Sequence, residues 1–371
     1  MIPTEPPRER WLNRNVWALA ITSLLSDLGH ETATAALPSF LAAIGAPPVT
    51  LGAIEGIADA ASSSVKLVTG WVSDRVGRRK PFVVAGYLLT GLSTGAYAFA
   101  HSWIAILAAR TLGWISRGAR GPLRNVILTD SVPATARGRA FGFHRAGDTV
   151  GAILGPLYAA AALPWLATRF AGDPTAPFRW VFLFTVIPGV LSGLVVWAFV
   201  SEKASSGATV PKFLATLRSL PSGFRRYLVG VGIFGAGDFA HTLLIMGAAH
   251  VLAPEYGVLR AASLAALLFV VHNVVYAATP FPIGWLSDRV GRRGLLSLGY
   301  AVGAVMAISA GLVVARGIAD LRVLAGVFAL AGFVSGVEDT LEGATTADYA
   351  PAEVRGTAFG VLGLVNGVGD L

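Results

Sequence analysis

Fifteen charged side chains stand inside stretches of this chain that are otherwise apolar: Asp27, Glu31, Glu55, Asp59, Lys66, Arg110, Arg117, Arg120, Arg124, Arg145, Asp148, Asp238, Glu338, Asp339 and Glu342. A charge at the centre of a lipid-facing helix costs about 2.5–3.5 kcal/mol, so a set of this size must pair or line water. Spacing assigns faces. Arg110, Arg117, Arg120 and Arg124 recur at i, i+7, i+10 and i+14, one stripe of a helix. Glu55, Asp59 and Lys66 share a face upstream, and Asp27, His30 and Glu31 cluster earlier still. Carboxyl groups held in an apolar interior are the side chains that relay protons. Asp27, Glu31 and Asp59 are therefore candidates for proton exchange. The same Asp27 and His30, with Asp238 and His241, offer N/O donors that a divalent cation could use instead. "HETAT" (30–34) is not the H-E-x-x-H of a zinc hydrolase, and no G-x-x-x-x-G-K-[ST] phosphate loop exists. No resident metal, cofactor, nucleic-acid or catalytic nucleophile–base motif is readable.

The elements that position these charges are long apolar runs. Hydrophobic residues make up 54% of the chain and charged ones 13%, against about 25% charged in soluble domains. With 44 glycines, this is the composition of helices packed closely in a bilayer. A span needs roughly 20 apolar residues. Ten are read at 16–44, 50–72, 81–100, 103–128, 138–163, 179–200, 225–252, 261–286, 295–314 and 321–347, and an eleventh begins near Arg355. The first run is too long for the apolar part of a cleaved leader, about 7–15 residues. If the N-terminus is cytoplasmic, 18 of the 29 Lys and Arg fall in loops on that side and 5 on the other. The positive-inside rule therefore sets this orientation, in a bacterial-type inner membrane.

The chain also repeats. "GWVSDRVGRR" (70–79) returns as "GWLSDRVGRR" (284–293), "ARGRAFG" (136–142) as "VRGTAFG" (354–360), and "DSVPA" (130–134) as "DYAPA" (348–352). Asp27-x-x-His30 has its counterpart in Asp238-x-x-His241. Both charged motifs fall between the second and third span of a half, the signature of two parallel repeats. The halves are read as 1–200 and 225–371, joined by a cytoplasmic loop at 201–224. At the repeat offset, Arg120 maps onto Glu338 and Arg124 onto Glu342, with opposite charge. Spans 4 and 10 are expected to meet there, these pairs gating the cytoplasmic side of a cavity between the halves.

Gly70, Asp74, Arg75, Gly77, Arg78, Arg79 and Lys80 resemble the signature loop G-x-x-x-D-R-x-G-R-R-[RK] of the major facilitator superfamily. Gly284, Asp288, Arg289, Gly291, Arg292 and Arg293 repeat it, departing at Gly294. Arg110 resembles the arginine of that family's second motif. Gly151, Gly155 and Pro156 resemble its antiporter motif G-x-x-x-G-P-x-x-G-G, whose last two glycines are Ala159 and Ala160 here. The resemblance covers essentially the whole chain. It implies an all-α polytopic fold of two six-helix bundles, and hence that span 11 is partial and span 12 missing in this sequence. It implies a secondary transporter working by alternating access on a small molecule and protons, similar to bacterial drug and metabolite antiporters. A monomer in the lipid bilayer is expected. The motif loops, with Asp130 and Asp348, would latch one conformation. The runner-up is divalent-metal transport, and a non-transporting membrane sensor is the remaining reading. The arginine stripe leans toward anionic cargo.

Overall fold

The computed structural model of the chain describes residues 11–73, 78–132, 137–202, 221–235, 240–349, 358 and 361–366. The first half contains α1 (Arg14–Ala43), α2 (Val49–Ser73), α3 (Lys80–Ala96), α4 (Trp103–Asp130), α5 (Arg137–Arg169) and α6 (Ala176–Phe199). The second contains α7 (Ser222–Gly235), α8 (His241–Tyr256), α9 (Val258–Ala278), α10 (Pro280–Val290), α11 (Arg292–Ala315) and α12 (Leu321–Tyr349). Residues 361–366 form a further helical stretch.

Local chemistry sets the helix ends. Asn13 caps α1, its side-chain oxygen accepting from the Val16 N–H at 3.2 Å. At the other end Gly45, at φ +75°, closes a Schellman turn: Ala46 N–H reaches Leu41 O at 2.9 Å and Gly45 N–H reaches Ala42 O at 3.0 Å. Asp320 accepts from the Arg322 and Val323 N–H groups at the head of α12. Asp173 does the same ahead of α6, and hydrogen bonds from Thr175 hold its carboxyl below the ordinary range. Two expected spans arrive in pieces. The eighth breaks at Thr279–Pro280 into α9 and α10, as a proline lacking the N–H dictates. The seventh is represented by α7 and α8, and residues 236–239 between them lie outside the described ones.

Among the described residues six helical stretches are long and apolar enough to cross a membrane: Lys80–Phe99, Phe143–Arg169, Ala176–Phe199, Val258–Gly284, Arg292–Ala315 and Leu321–Thr346. The remaining long helices, α1, α2 and α4, have 30, 25 and 28 residues. They carry Asp27, Glu31, Glu55, Asp59, Arg110, Arg117, Arg120 and Arg124, which lower their hydropathy and are turned inward, while Lys66 is exposed. Outward faces present large apolar side chains such as Trp17, Leu89, Trp165, Trp180, Trp197 and Ile308, as a lipid-facing surface requires.

Within the first half α1 packs on α5 and α6, α2 on α4, and α3 on α4 and α6; in the second, α12 packs on α9 and α11. The α1–α5 contact is the most extensive. Gly147, Gly151 and Gly155 form one stripe of α5, and a Cβ on Gly151 would stand 2.3 Å from Leu24 O. The expected antiporter-motif glycines are therefore where the backbones of α1 and α5 meet. The Thr32 hydroxyl donates to Gly155 O across the same seam at 3.1 Å.

The two halves share one apolar core at the end away from the motif loops. It joins Leu37, Phe40, Ile54, Leu163 and Phe182 to Ile245, Leu252, Phe269, Val313 and Phe328. At the motif-loop end the cores are separate. Val16, Leu19, Val83, Tyr87 and Leu128 serve the first half, and Phe224, Leu296, Val337 and Leu341 the second. Substantial contacts between halves run from α1, α2 and α5 to α8 and α9. Among the described residues the molecule is thus sealed at one end and parted at the end that bears the basic loops.

Candidate functional site

A cavity of about 400 Å³ lies between the halves, within the range of small-molecule sites. Its first-half wall is ionic. Arg110 grips Glu55 through Nη2 at 3.0 Å to each carboxylate oxygen and through Nε at 3.1 Å, with both side chains 3% exposed. Arg117 Nη1 stands 3.0 Å from Asp27 Oδ1. Trp114 sits between the two guanidiniums, 4.7 Å and 5.5 Å from its ring, and packs on His30 at 4.6 Å. Glu31 lies one residue on from His30, and its Oε2 is buried without a hydrogen-bond partner. Asp59 also lines this wall. The Arg110–Glu55 pair is multidentate and close, the geometry in which a buried pair offsets its own desolvation, whereas Arg117 and Asp27 make a single close ion-pair contact.

The second-half wall is mostly neutral. On α9, His272 and Tyr276 stack with Phe269 along one face, rings 5.2 Å and 6.3 Å apart. His241, at the head of α8, meets His272 at 4.5 Å, and its Nε2 lies 3.0 Å from the Ser335 hydroxyl. Asn273 donates across the halves to Ala152 O at 2.6 Å, and Ser263 donates to Ala160 O at 2.7 Å. Nearer the parted end, Arg145 bridges to Asp339 at 2.6 Å, and Tyr276 hydrogen-bonds both partners. Asp148, a turn from Arg145, takes the Ser23 hydroxyl. Three ties thus run along α5 from the sealed end to the parted end. Among the described residues seven carboxylates line the cavity: Asp27, Glu31, Glu55, Asp59, Asp148, Glu338 and Asp339. Three guanidiniums accompany them: Arg110, Arg117 and Arg145.

The sequence profile of the Major Facilitator Superfamily matches residues 19–370. The chain belongs to that superfamily. It is similar to an uncharacterised MFS-type transporter of Methanocaldococcus jannaschii, 28% identical over 363 residues, 98% of this chain and 87% of that protein. An uncharacterised protein of Mycobacterium tuberculosis is 28% identical over 378 residues, covering 97% of this chain and 84% of the relative. Among solved structures, a bacterial homologue of the human lysosomal transporter Spinster superposes with a TM-score of 0.69 at 19% identity, over 96% of this chain and 78% of that one. The protein is a multi-pass membrane protein with the all-helical superfamily fold, a secondary transporter of a small molecule and not an enzyme.

The superfamily motif loops fall at the parted end. Asp74, Arg75, Gly77 and Asp238 lie outside the described residues, as do the side chains of Asp288 and Asp348. Gly70 lies in the last turns of α2 and Arg78 is exposed. Arg79 Nη1 stands 3.9 Å from Asp130. The Arg79 and Lys80 N–H groups, which open α3, donate to the Glu202 carboxylate at 2.7–2.9 Å. In the second loop Gly291 takes φ +92°, a conformation that favours glycine, and so lets α10 turn directly into α11. Gly284 meets α12 at Thr340. Arg289 is exposed in the last turn of α10, Arg292 donates to Ala344 O at 3.1 Å, and Arg293 covers the Tyr349 ring.

Of the expected gate residues, Arg120, Arg124 and Glu342 bond to side chains of their own halves. Arg120 is 3% exposed and points into the first half, donating to Thr90 and Ser26 and lying 3.8 Å over Tyr87. Arg124 bonds Asn125 and Tyr87. Glu342 accepts from Tyr300 at 2.5 Å and Asn366 at 2.7 Å, and Glu338 lines the cavity. Among the described residues α4 and α12 share no substantial packing contact. Among the described residues no group of three or more metal-ligating side chains is assembled. His272, Asn273, Tyr276 and Trp114 were not singled out from sequence. The signal for the first three was a polar i, i+1, i+4 pattern inside an apolar span.

Proposed function

We propose that this transporter exchanges protons for a small-molecule cargo and exports it by alternating access, with the motif-loop end in the cytoplasm of a bacterial-type inner membrane. The observation that carries the reading is the placement of Asp27, Glu31 and Asp59 on a cavity shared by both halves. Carboxyl groups in that position can take up a proton from one side and release it to the other as the halves rock. The concentration of Lys and Arg at the parted end supports the orientation. The Arg79–Asp130 contact and the glycine turn at Gly291 support a latch in the motif loops. Arg124 with Glu342 would then meet when that end shuts.

The test uses the purified protein in liposomes holding a pH-sensitive dye and an acidic lumen, challenged with a compound panel. A cargo discharges the gradient as it is exchanged, and Asp27→Asn abolishes the discharge. Compound movement with no proton movement, in the wild type, refutes the coupling.

A further inference from the structure

The cavity has a donor–acceptor imbalance that says what should fill it. The Asn273 amide is fixed by its donation to Ala152 O, so its oxygen faces His272 Nδ1 at 3.0 Å and can only accept. The proton of neutral His272 therefore sits on Nδ1. Its Nε2 is left as a lone-pair acceptor, buried without a partner in a side chain 4% exposed that lines the cavity. Glu31 Oε2 is a second buried acceptor without a donor. Asn366 Oδ1 is a third, because its amide nitrogen is committed to Glu342. The opposing supply is smaller: Trp114 Nε1 and Arg117 Nη1 are buried N–H donors without a hydrogen-bond partner, Nη1 standing 3.0 Å from Asp27 Oδ1, and the unpartnered Thr242 hydroxyl can donate or accept. The formal charge points the same way, since among the described residues the cavity's carboxylates outnumber its guanidiniums seven to three. Each guanidinium already faces a carboxylate, at 3.0, 3.0 and 2.6 Å, so the uncompensated charge is negative. Buried acceptors left without donors are costly, and a ligand that brings donors and positive charge relieves them together.

We propose that the cargo is a small protonated amine or amidinium, its N–H groups donating to Glu31 and His272 and its apolar part lying along the Phe269–His272–Tyr276 rings. This rests on the transporter reading and names the substrate class of the same cavity. A quaternary ammonium carries the charge but no N–H, and a carboxylate carries neither.

Equilibrium binding to the purified full chain in detergent, with no gradient, tests this with four naphthalene probes: 1-naphthylmethylamine, its N,N,N-trimethyl analogue, the neutral 1-naphthylmethanol and the anion 1-naphthylacetate. The amine is expected to bind saturably, the trimethyl analogue about tenfold more weakly, and the alcohol and acetate more weakly still. Glu31→Gln and His272→Phe should each weaken the amine about tenfold while the variants retain the wild-type thermal unfolding profile. Absence of amine binding, tighter binding of the acetate, or equal binding of amine and trimethyl analogue by the wild-type protein overturns the proposal. So does unchanged amine affinity in both folded variants. Because the probe series needs no gradient, its failure leaves proton exchange to be judged by the liposome assay.

Discussion

Replacing Gly151 by alanine should separate the two helices that carry the cavity's acidic wall. The new Cβ would lie 2.3 Å from Leu24 O, 2.9 Å from Leu28 N and 3.1 Å from Leu24 C, where ordinary contact begins at 3.4 Å. All three atoms belong to the α1 backbone, so no side chain can swing aside. The axis of α1 must retreat by about 1 Å, and overpacking of this kind costs roughly 1–3 kcal/mol. The shift would also move Asp27 away from Arg117, since Asp27 follows Leu24 by one turn. The control is Gly311→Ala in α11, where a Cβ meets nothing within 4 Å and helix propensity favours alanine by about 0.5–1 kcal/mol. Thermal unfolding of the purified protein, followed by circular dichroism, reads both changes. Gly151→Ala should unfold at a lower temperature than wild type, and Gly311→Ala at an equal or higher one. An unchanged midpoint for Gly151→Ala would sink the claim that α1 and α5 meet backbone to backbone.

Other outcomes follow from single contacts. Glu55→Gln leaves the Arg110 guanidinium buried and unneutralised and should destabilise by about 3–5 kcal/mol, with Glu55→Gln/Arg110→Gln recovering part of the loss. If thermal unfolding shows additive losses in that cycle, the pair is not coupled. Glu202→Ala removes the cap on the first turn of α3 and should cost about 1 kcal/mol; a variant as stable as wild type would show that water replaces it. Because the chain contains no cysteine, single introduced thiols read the orientation cleanly. Gly172→Cys should react with an impermeant reagent in intact cells and Ser206→Cys only after lysis; the reverse pattern would invert the topology.

The helix bounds were legible because hydropathy and turn residues are local. Expected spans at 103–128 and 321–347 became Trp103–Asp130 and Leu321–Tyr349. The span expected to end at 163 runs on to Arg169, since backbone hydrogen bonds continue a helix past the last apolar residue. The arginine stripe was less readable. Ten residues at 3.6 per turn leave Arg120 about 80° from Arg110, enough to turn it onto α3 while Arg110 and Arg117 face the cavity. The lean toward an anionic cargo came from counting arginines without their partners. Glu55, Asp27 and Asp339 come from other helices, and no spacing rule within one helix could assign them. His272 escaped notice for a related reason: its free nitrogen is defined by Asn273, whose amide is oriented by Ala152 in the opposite half.

The shared core at the sealed end also sets the mechanical advantage of the molecule. Helix α5 has 33 residues, about 50 Å at 1.5 Å per residue. Its turns near the sealed end are tied by Ser263 and those near the parted end by Arg145. With the fulcrum near the sealed end, a tilt of about 10° would carry the far end through roughly 9 Å. A slip of a single side chain within the apolar seal is therefore magnified into a displacement large enough to admit or exclude a small solute at the other mouth. The tie at Arg145, with the longest arm, experiences most of that travel, while the Ser263 tie near the fulcrum hardly moves.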